Sequence, residues 1–502
     1  MEIPYDHPYS SILLILIPVI TLLWLRNARL RRLPPGPRGW PIIGNMLDLG
    51  TMPHRTLAAL ATKHGPVIWL RLGSQKIIVI QTAKAASDLF KYHDLAFADR
   101  NINETMRVHD YHNGSLILAP YGPHLRLMKK LLATEMLVSK RIRETESIRE
   151  KCVDDLIEWI SAAGRNAAIE VGRIVFVAEF NLLGNLMLSK DIVDPSLTNG
   201  SEFFTAMNGL TQWTGLPNVS DFFPWVRWMD LQGLKKKTEQ DMKRVFEITS
   251  SFVKERREEI RMGRKKDRKD ILDLLLEFEG HSNDEPQKIS DHHINIFLSE
   301  FLMAGTESTA STVEWAMTQL LANPDWMFKV KSELDQVVGP NRKVKEANID
   351  ELPYLQAVVK ETFRLHPPVP FLVPRKAVED TTFMGYNVCR GTQVFVNIWA
   401  IGRDPQSWDD PLVFKPERFI GSKTDYRGHD YEFLPFGAGR RMCAGIPLAH
   451  QMLHLTLGAL LYSFDWELES GVTPDTIDWA DRIGLTAKKL VPLKAITTKR
   501  KA

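Results

Sequence analysis

The feature that most constrains the fold is a stretch of 31 residues, Asp291–Leu321, that contains no proline. Such a length predicts a helix that crosses a whole domain. The middle of this stretch is unusual for a buried helix, because Ala304–Thr309 combines one glycine with four polar side chains. Glycine lowers helix stability by about 1 kcal/mol relative to alanine. A local inconsistency of this kind often marks a functional site, and a patch that faces solvent is the alternative.

The N-terminal sequence predicts a membrane anchor. The 18 residues of Pro8–Leu25 carry no charge and would be about 27 Å long as a helix, close to the thickness of the hydrocarbon core of a bilayer. Four arginines follow them closely, and the basic side of an anchor normally stays in the cytosol. We therefore predict an anchor over residues 1–25, a basic and proline-rich hinge over 26–38, and a cytosolic domain over 39–502. A core helix at the N terminus is the alternative.

The rest of the chain predicts one helix-rich domain with little β-structure. Helical patterns extend over Arg141–Ile160 and Leu231–Met262. In Val67–Gln81, β-branched runs lie on either side of Gly73-Ser74, which predicts a hairpin.

Composition excludes several classes of protein. The net charge of +3 does not suggest a nucleic-acid-binding face. Apolar residues at 44% and charged residues at 25% exclude wholesale disorder. Three cysteines are too few for a disulfide-built scaffold or a four-thiolate metal site. We expect Cys152 and Cys389 to be inert, which leaves Cys443 as the cysteine with a function.

The segment Pro435–Gly445 predicts a stable thiolate. Cys443 stands among glycines, directly before an apolar helical pattern over Ile446–Leu461. Glycines let the backbone turn tightly and bring N–H groups toward the sulfur. The N-terminus of a helix also favours a negative charge. Phe436 can shield such a site, and Arg441 can pair with an anion. Inert burial of the thiol is the alternative.

This segment resembles the cysteine loop F-x-x-G-x-R-x-C-x-G of the cytochrome P-450 superfamily. Three further segments are similar to family motifs: Glu361–Arg364 resembles E-x-x-R, Pro416–Phe419 resembles P-E-R-F, and Ala304–Thr309 resembles the oxygen-activating part of a long helix. The likeness extends from the proline hinge to the C terminus. It implies a mainly α fold with small β-sheets, and it is closest to plant microsomal members of specialised metabolism.

The resemblance implies haem b as the cofactor and assigns roles to matching positions. Cys443 would be the axial ligand of the haem iron. Arg441, and with it Arg375, would pair with the haem propionates. Glu307 and Ser308 would manage proton delivery to bound dioxygen, with Thr309 able to assist. The implied structural ion network on the proximal side consists of Glu361, Arg364 and Arg418.

Two departures from the family pattern bear on this site. Ser308 stands where threonine is usual, which keeps the hydroxyl but loses the methyl that restricts its rotamer. Leu125 and Lys129 replace the tryptophan and the arginine of the W-x-x-x-R motif. Lysine keeps the charge but loses the planar fork. We expect His124 or Arg126 to compensate in holding the haem.

The function that the resemblance implies is NADPH- and O2-dependent monooxygenation of a small apolar plant metabolite. A monoterpenoid or another terpenoid, such as an iridoid precursor, is the leading substrate class. Oxidation or coupling of a phenolic or an alkaloid is the alternative. Members that rearrange substrates without inserting oxygen, and a membrane-tethered haem-binding protein without turnover, are the rival functions.

The resemblance also implies partners and a location. Electrons would come from NADPH through NADPH–cytochrome P-450 reductase at the endoplasmic reticulum membrane, with a basic docking surface at Lys129, Lys130, Lys140, Arg141 and Arg143. The segments expected to line the substrate pocket are Phe97–Leu118, Phe203–Trp213, Phe301–Gly305, Val369–Val373 and Ile483–Thr486.

Overall fold

The computed structural model describes residues 33–164, 168–194, 202–263, 268–281 and 285–500. The predicted anchor over residues 1–25 lies outside this part of the chain, as does the hinge up to residue 32. Where the chain is described, helices predominate and the strands are short.

The helices and strands have the following bounds. The α-helices are α1 Pro53–His64, α2 Ala83–Tyr92, α3 Tyr111–Gly114, α4 Pro123–Leu131, α5 Ser139–Glu144, α6 Glu146–Ala162, α7 Val171–Leu188, α8 Glu202–Thr214, α9 Val219–Phe222, α10 Leu234–Arg261, α11 Ile271–Leu276, α12 Asp291–Ala322, α13 Pro324–Val338, α14 Pro353–Leu365, α15 Ile398–Ile401 and α16 Ile446–Ser463. The strands are β1 Val67–Leu72, β2 Gln75–Ile80, β3 Asp99–Arg100, β4 Ala168–Glu170, β5 Arg375–Lys376, β6 Thr381–Phe383, β7 Tyr386–Val388, β8 Gln393–Val396, β9 Phe464–Leu468, β10 Asp481–Ile483, β11 Ala487–Lys489 and β12 Lys494–Lys499.

The predicted long helix is confirmed as α12, which has 32 residues. The Ser290 hydroxyl caps its start by accepting a hydrogen bond from the N–H of His293 at 3.2 Å. The helix contacts α7, α10, α14 and α16, and it contributes buried residues to two large apolar clusters. A Cβ at Gly305 would lie 2.8 Å from Leu183 of α7, so the glycine lets these two helices approach closely.

Two other predicted helices are confirmed, and a third prediction is wrong because two helices form in place of one. The Leu231–Met262 pattern forms α10 and the Ile446–Leu461 pattern forms α16. Arg141–Ile160 does not form one helix, because the chain breaks at Thr145 between α5 and α6. The Thr145 hydroxyl donates to the carbonyl of Arg141 and accepts a 2.6 Å bond from the buried guanidinium of Arg149. That side-chain network competes with a continuous helix.

The largest sheet has the strand order β1-β2-β8-β5-β3. The predicted hairpin is confirmed, with Val67 opposite Ile80 and Leu72 opposite Gln75. The other edge of the sheet pairs β3 with β5 and places Arg100 directly opposite Arg375. Like charges opposite each other in a sheet are destabilising, so this pair indicates a need for negative charge nearby.

Helix α7 is the one helix among the described residues that is long and apolar enough to cross a membrane. About two thirds of it is buried inside the protein. It packs against α12 and α6, as a core helix of a globular domain does.

Candidate functional site

The loop that carries Cys443 is shaped by its glycines. Gly437 and Gly439 have φ values of +69° and +68°, which side-chain-bearing residues rarely adopt. A Cβ at Gly439 would also collide with the carboxylate of Asp94. The N–H of Cys443 donates to the carbonyl of Phe436 at 3.0 Å, and the N–H of Gly445 donates to Cys443 Sγ at 3.3 Å. The loop thus presents the sulfur at the start of α16, as the sequence predicts.

Protein atoms crowd around the sulfur of Cys443, although part of the residue is exposed. Burial raises the pKa of its thiol above the ordinary value, whereas the N–H of Gly445 and the ammonium group of Lys129 lower it. A metal ion deprotonates a thiol that coordinates it. A bound iron would therefore hold the thiolate that the loop is built to accept.

Phe436 fixes the loop from behind through aromatic packing. Its ring centroid lies 5.1 Å from that of Phe363 on α14 and 5.3 Å from that of Tyr426, both in edge-to-face geometry. Tyr426 is held in turn by a 2.5 Å hydrogen bond between its hydroxyl and Nδ1 of His450 on α16. The Phe436 side chain therefore joins the cysteine loop to two helices.

Four basic side chains meet beside the cysteine loop, and we call them the cation cluster: Arg100, Lys129, Arg375 and Arg441. Burial strongly lowers the pKa of Arg100, and the charges of Arg375 and Arg441 lower it further. Burial likewise lowers the pKa of Lys129, with the three arginines acting in the same direction. The mutual repulsion of these groups predicts an anionic ligand.

Asp94 faces the cation cluster, but its single carboxylate does not balance the charge of four basic side chains. Asp94 accepts a 2.7 Å bond from Arg375 and also bonds Arg440 outside the cluster. Arg441 donates to the carbonyls of Ala98 and Ala119, but its Nη1 is buried without a hydrogen-bond partner. A buried guanidinium donor without a partner is costly, so the cluster is suited to bind carboxylates.

The structure brings most of the predicted cofactor residues together but leaves out Arg126. Lys129 donates from Nζ to the carbonyls of Arg440 and Met442 at 2.9 Å each, so it touches the cysteine loop. Arg126 is exposed and has no side-chain hydrogen bond or ion pair within the described residues. Its expected role in holding a cofactor gains no support. His124 bonds the carbonyl of Gly114 instead.

The oxygen-activation residues on α12 have defined partners. Glu307 is buried and forms an ion pair with Lys488 of β11, and the Thr486 side chain lies close to it. Burial raises the Glu307 pKa, and Lys488 lowers it in part. The hydroxyls of Ser308 and Thr309 donate back to the carbonyls of residues 304 and 305, each at 2.7 Å. These bonds satisfy both hydroxyls within the helix itself.

The predicted ion network is present and buried. Arg364 binds both oxygens of Glu361 at 2.7 Å, and Arg418 binds Glu361 Oε1 at 3.1 Å. Arg364 also donates to the carbonyls of residues 402, 411 and 413. The network therefore joins α14 to the loop that precedes the cysteine segment.

Sequence reasoning missed Arg100, Asp94 and Lys488. Arg100 and Arg375 meet through strands of two residues each. Such strands are too short to show the alternation of apolar and polar residues that marks a strand in a sequence. The preceding sequence Phe97-Ala98-Asp99 carries no motif that marks Arg100. Its register opposite Arg375 is the signal that identifies it.

Comparisons with known proteins agree with this site. The family profile described as Cytochrome P-450 matches residues 34–493. Cytochrome P-450 76A2 from Solanum melongena is 51% identical over 99% of this chain and 100% of its own length. An iridoid oxidase from Catharanthus roseus is 47% identical over 95% of this chain and 94% of its own. A geraniol 8-hydroxylase from the same plant is 40% identical over 97% of this chain and 99% of its own length.

A solved structure of a zebrafish cytochrome P-450 with progesterone superposes with a TM-score of 0.75 at 26% identity. The match covers 89% of this chain and 99% of that one. The chain therefore belongs to the cytochrome P-450 family and is an oxidoreductase of that family's monooxygenase class.

The family implies a haem-thiolate cofactor, and the residues present fit it. Cys443 supplies a sulfur whose surroundings accept a thiolate once a metal binds. The cation cluster offers the unpartnered Nη1 of Arg441 to an anion, and a haem carries two carboxylates. The donor set and the charge of the site both match the group.

We expect Arg100→Gln to accelerate haem loss about ten- to hundredfold, because a charge-assisted hydrogen bond contributes about 1.5–3 kcal/mol. Transfer of haem to an excess of an apo haem acceptor measures the rate. Arg126→Gln is the matched control, since it removes an exposed arginine outside the cluster. Equal rates for the two variants would show that Arg100 does not hold the cofactor.

Proposed function

We propose that this protein is an NADPH- and O2-dependent monooxygenase that hydroxylates a small terpenoid of plant specialised metabolism. The observation that carries the substrate class is the similarity, over nearly the whole chain, to an iridoid oxidase and a geraniol 8-hydroxylase. Both names describe the oxidation of small molecules with a terpenoid skeleton. A phenolic or alkaloid substrate is the alternative that the test below separates.

The predicted pocket segments supply apolar side chains that support this substrate class. Met207 of α8 and Met303 of α12 line a small cavity together with Met106. Phe301 and Leu485 are only partly buried and pack against the apolar cluster that contains Met106, Met207 and Met303. Methionine side chains adapt to irregular shapes, and an apolar wall with few polar groups suits a small terpenoid.

Bound haem supplies a thiolate-ligated iron at which dioxygen is reduced, with one oxygen atom entering the substrate and the other leaving as water. Cys443 provides the thiolate, and the cation cluster neutralises the carboxylates of the cofactor. Glu307 can hold or release a proton, since burial raises its pKa while Lys488 and Thr486 lower it. The Lys488 side chain is one-third exposed, so it connects this buried acid with solvent. Ser308 offers a hydroxyl in the next position along α12.

NADPH–cytochrome P-450 reductase is the proposed electron donor, and the endoplasmic reticulum membrane is the proposed location, with the segment 1–25 as anchor. The predicted docking residues are not all free for a partner. Lys129 is turned toward the cysteine loop, while Lys130 and Arg141 pair with acidic side chains at 3.2 Å and 3.0 Å. The exposed Arg143 supports the docking proposal best, followed by Lys140, which is 81% exposed although it lies 3.9 Å from Glu144.

Incubation with 18O2, NADPH, reductase and a panel of substrates tests this function. We expect label in one oxygen of the product from a monoterpenoid alcohol or an iridoid precursor, and no product without reductase. Turnover of phenolics or alkaloids alone would contradict the substrate class. Product without label would support a member that rearranges its substrate, and no NADPH consumption with any substrate would support a haem-binding protein without turnover.

We expect Ser308→Ala to release more hydrogen peroxide per NADPH consumed, because it removes a hydroxyl next to Glu307 on α12. Ser308→Thr is the informative comparison. Threonine has a more restricted rotamer, so this variant should release less peroxide than the parent protein. The ratio of peroxide to product at saturating substrate measures the effect. An unchanged ratio in Ser308→Ala would remove Ser308 from proton delivery.

A further inference from the structure

A buried carboxylate that the proposed chemistry does not use lies on α12, seven residues before Glu307. Glu300 is 2% exposed and binds one short segment of chain, residues 115–119, which follows α3. Its Oε2 accepts a 2.6 Å hydrogen bond from the N–H of Leu116. Its Oε1 accepts from the Ser115 hydroxyl and, at 3.3 Å, from the N–H of Ile117. One side chain thus receives three donors from three consecutive residues.

The hydrogen bonds of Ser115 fix the direction of this network. The Ser115 Oγ accepts from the N–H of Ile117 at 3.1 Å and from that of Leu118 at 2.9 Å. Both of its acceptor positions are therefore in use, and its proton is available for Glu300. A protonated Glu300 would have to place its own O–H among donors. The N–H of Ile117 is shared between Ser115 Oγ and Glu300 Oε1, and the two oxygens of Glu300 act as acceptors for all three donors.

Burial disfavours the ionised form of Glu300. Burial raises the pKa of Glu300 to about 7, although all three hydrogen bonds lower it. A neutral amide would avoid that cost, but its single oxygen cannot replace two carboxylate oxygens. A carboxyl group, with two acceptor oxygens, therefore fits the three donors better than an amide does.

The 115–119 segment is held from its other side by the cation cluster. Arg100 donates from Nε to the carbonyl of Ile117 at 3.0 Å, and Arg441 donates from Nη2 to the carbonyl of Ala119 at 2.5 Å. The side chains of Leu116 and Leu118 pack, partly buried, against the apolar cluster that includes Met106 and Met303. The segment thus lies between the apolar pocket wall and the cofactor residues.

We propose that Glu300 is a positioning residue that clamps the 115–119 segment onto α12 and thereby sets the wall against which the substrate is oriented. It acts through the segment and not on the reacting atoms. The substrate part of this proposal rests on the proposed monooxygenase function, whereas the clamp itself does not. Loss of the clamp would let Leu116 and Leu118 move and would loosen substrate orientation.

Amide hydrogen exchange in the full-length holoprotein tests the clamp without any substrate. In Glu300→Gln, an NH2 group replaces one carboxylate oxygen. This NH2 group is a donor, and it would face a donor of the 115–117 segment. We expect protection of the Leu116 and Ile117 amides to fall about tenfold or more. Glu179→Gln is the matched control. Glu179 is also buried with its pKa raised to about 7, but its hydrogen bond comes from Thr456 on α16.

Turnover provides the second readout. With a substrate that the parent protein oxidises, we expect Glu300→Gln to raise KM about tenfold and to spread oxidation over more carbon positions, with a smaller change in kcat. If Glu300→Gln does not fold, Ser115→Ala removes one donor to Glu300 and should expose the Ile117 and Leu118 amides. Unchanged protection of residues 116–118 in the folded variant, or an equal loss in Glu179→Gln, would overturn the clamp. Failure of the parent protein to oxidise any substrate would contradict the proposed function alone.

Discussion

Replacing Cys443 by serine is expected to abolish substrate oxidation completely while the fold is retained. Serine has nearly the same shape, so the 3.0 Å bond from the N–H of residue 443 to the Phe436 carbonyl can persist. Its hydroxyl is a far weaker acid than a thiol and cannot provide the electron-rich sulfur ligand on which oxygen activation depends. NADPH-dependent product formation, with circular dichroism of the same sample, measures both parts of the expectation.

The other cysteines provide the controls for this substitution. Burial raises the pKa of Cys152 to about 12, so it remains a thiol, and Cys389 is exposed. We expect Cys389→Ser to oxidise substrate at the rate of the parent protein. Substantial turnover by Cys443→Ser would contradict the assignment of the axial ligand. Loss of turnover in Cys389→Ser as well would point to general damage by serine substitution.

The second large effect is expected for Glu361→Ala, which we expect to prevent haem incorporation. The substitution removes the partner of Arg364, whose side chain is fully buried, and of Arg418, whose side chain is 9% exposed. Breaking a buried ion pair by removing one partner costs about 3–5 kcal/mol. Since this network holds the loop that precedes the cysteine segment, the cofactor pocket should fail to form. The ratio of haem to protein after purification measures the effect.

Glu346→Ala separates this local effect from a general loss of stability. It breaks another buried pair, in which Glu346 binds Arg149 near the break between α5 and α6. A similar free energy of unfolding should be lost there, but haem should be retained. Normal haem content in Glu361→Ala, or equal haem loss in both variants, would contradict a specific role for the Glu361 network.

The long elements could be predicted because their signals are local. The proline-free run of α12 and the apolar pattern of α16 each extend over several helical turns. The hairpin follows from β-branched runs around Gly73-Ser74. The break at Thr145 could not be predicted in this way, since it depends on Arg149 and its distant partner Glu346.

The residues of the candidate site also differ in whether their signal is local or depends on long-range contacts. Cys443, Arg441 and Glu361 lie in motifs, so the sequence identifies them directly. Arg100 joins the cation cluster only through its register opposite Arg375, and Lys488 meets Glu307 only because β11 packs on α12. Arg126 is predicted to help hold the haem because Leu125 and Lys129 replace the tryptophan and arginine of the W-x-x-x-R motif. Its cofactor role stays a prediction, and the structure places it on the exposed side of α4, with Leu125 and Met128 on the buried side.

We propose that Cys443 binds haem iron as a thiolate. The most direct measurement is the absorption spectrum of the purified full-length protein after reduction with dithionite and exposure to carbon monoxide. We predict a Soret band strongly shifted to longer wavelength, which is characteristic of a haem-thiolate complex with carbon monoxide. The shifted band should be missing in Cys443→Ser. A band at the shorter wavelength typical of a histidine or neutral ligand in the properly folded parent protein would contradict the account.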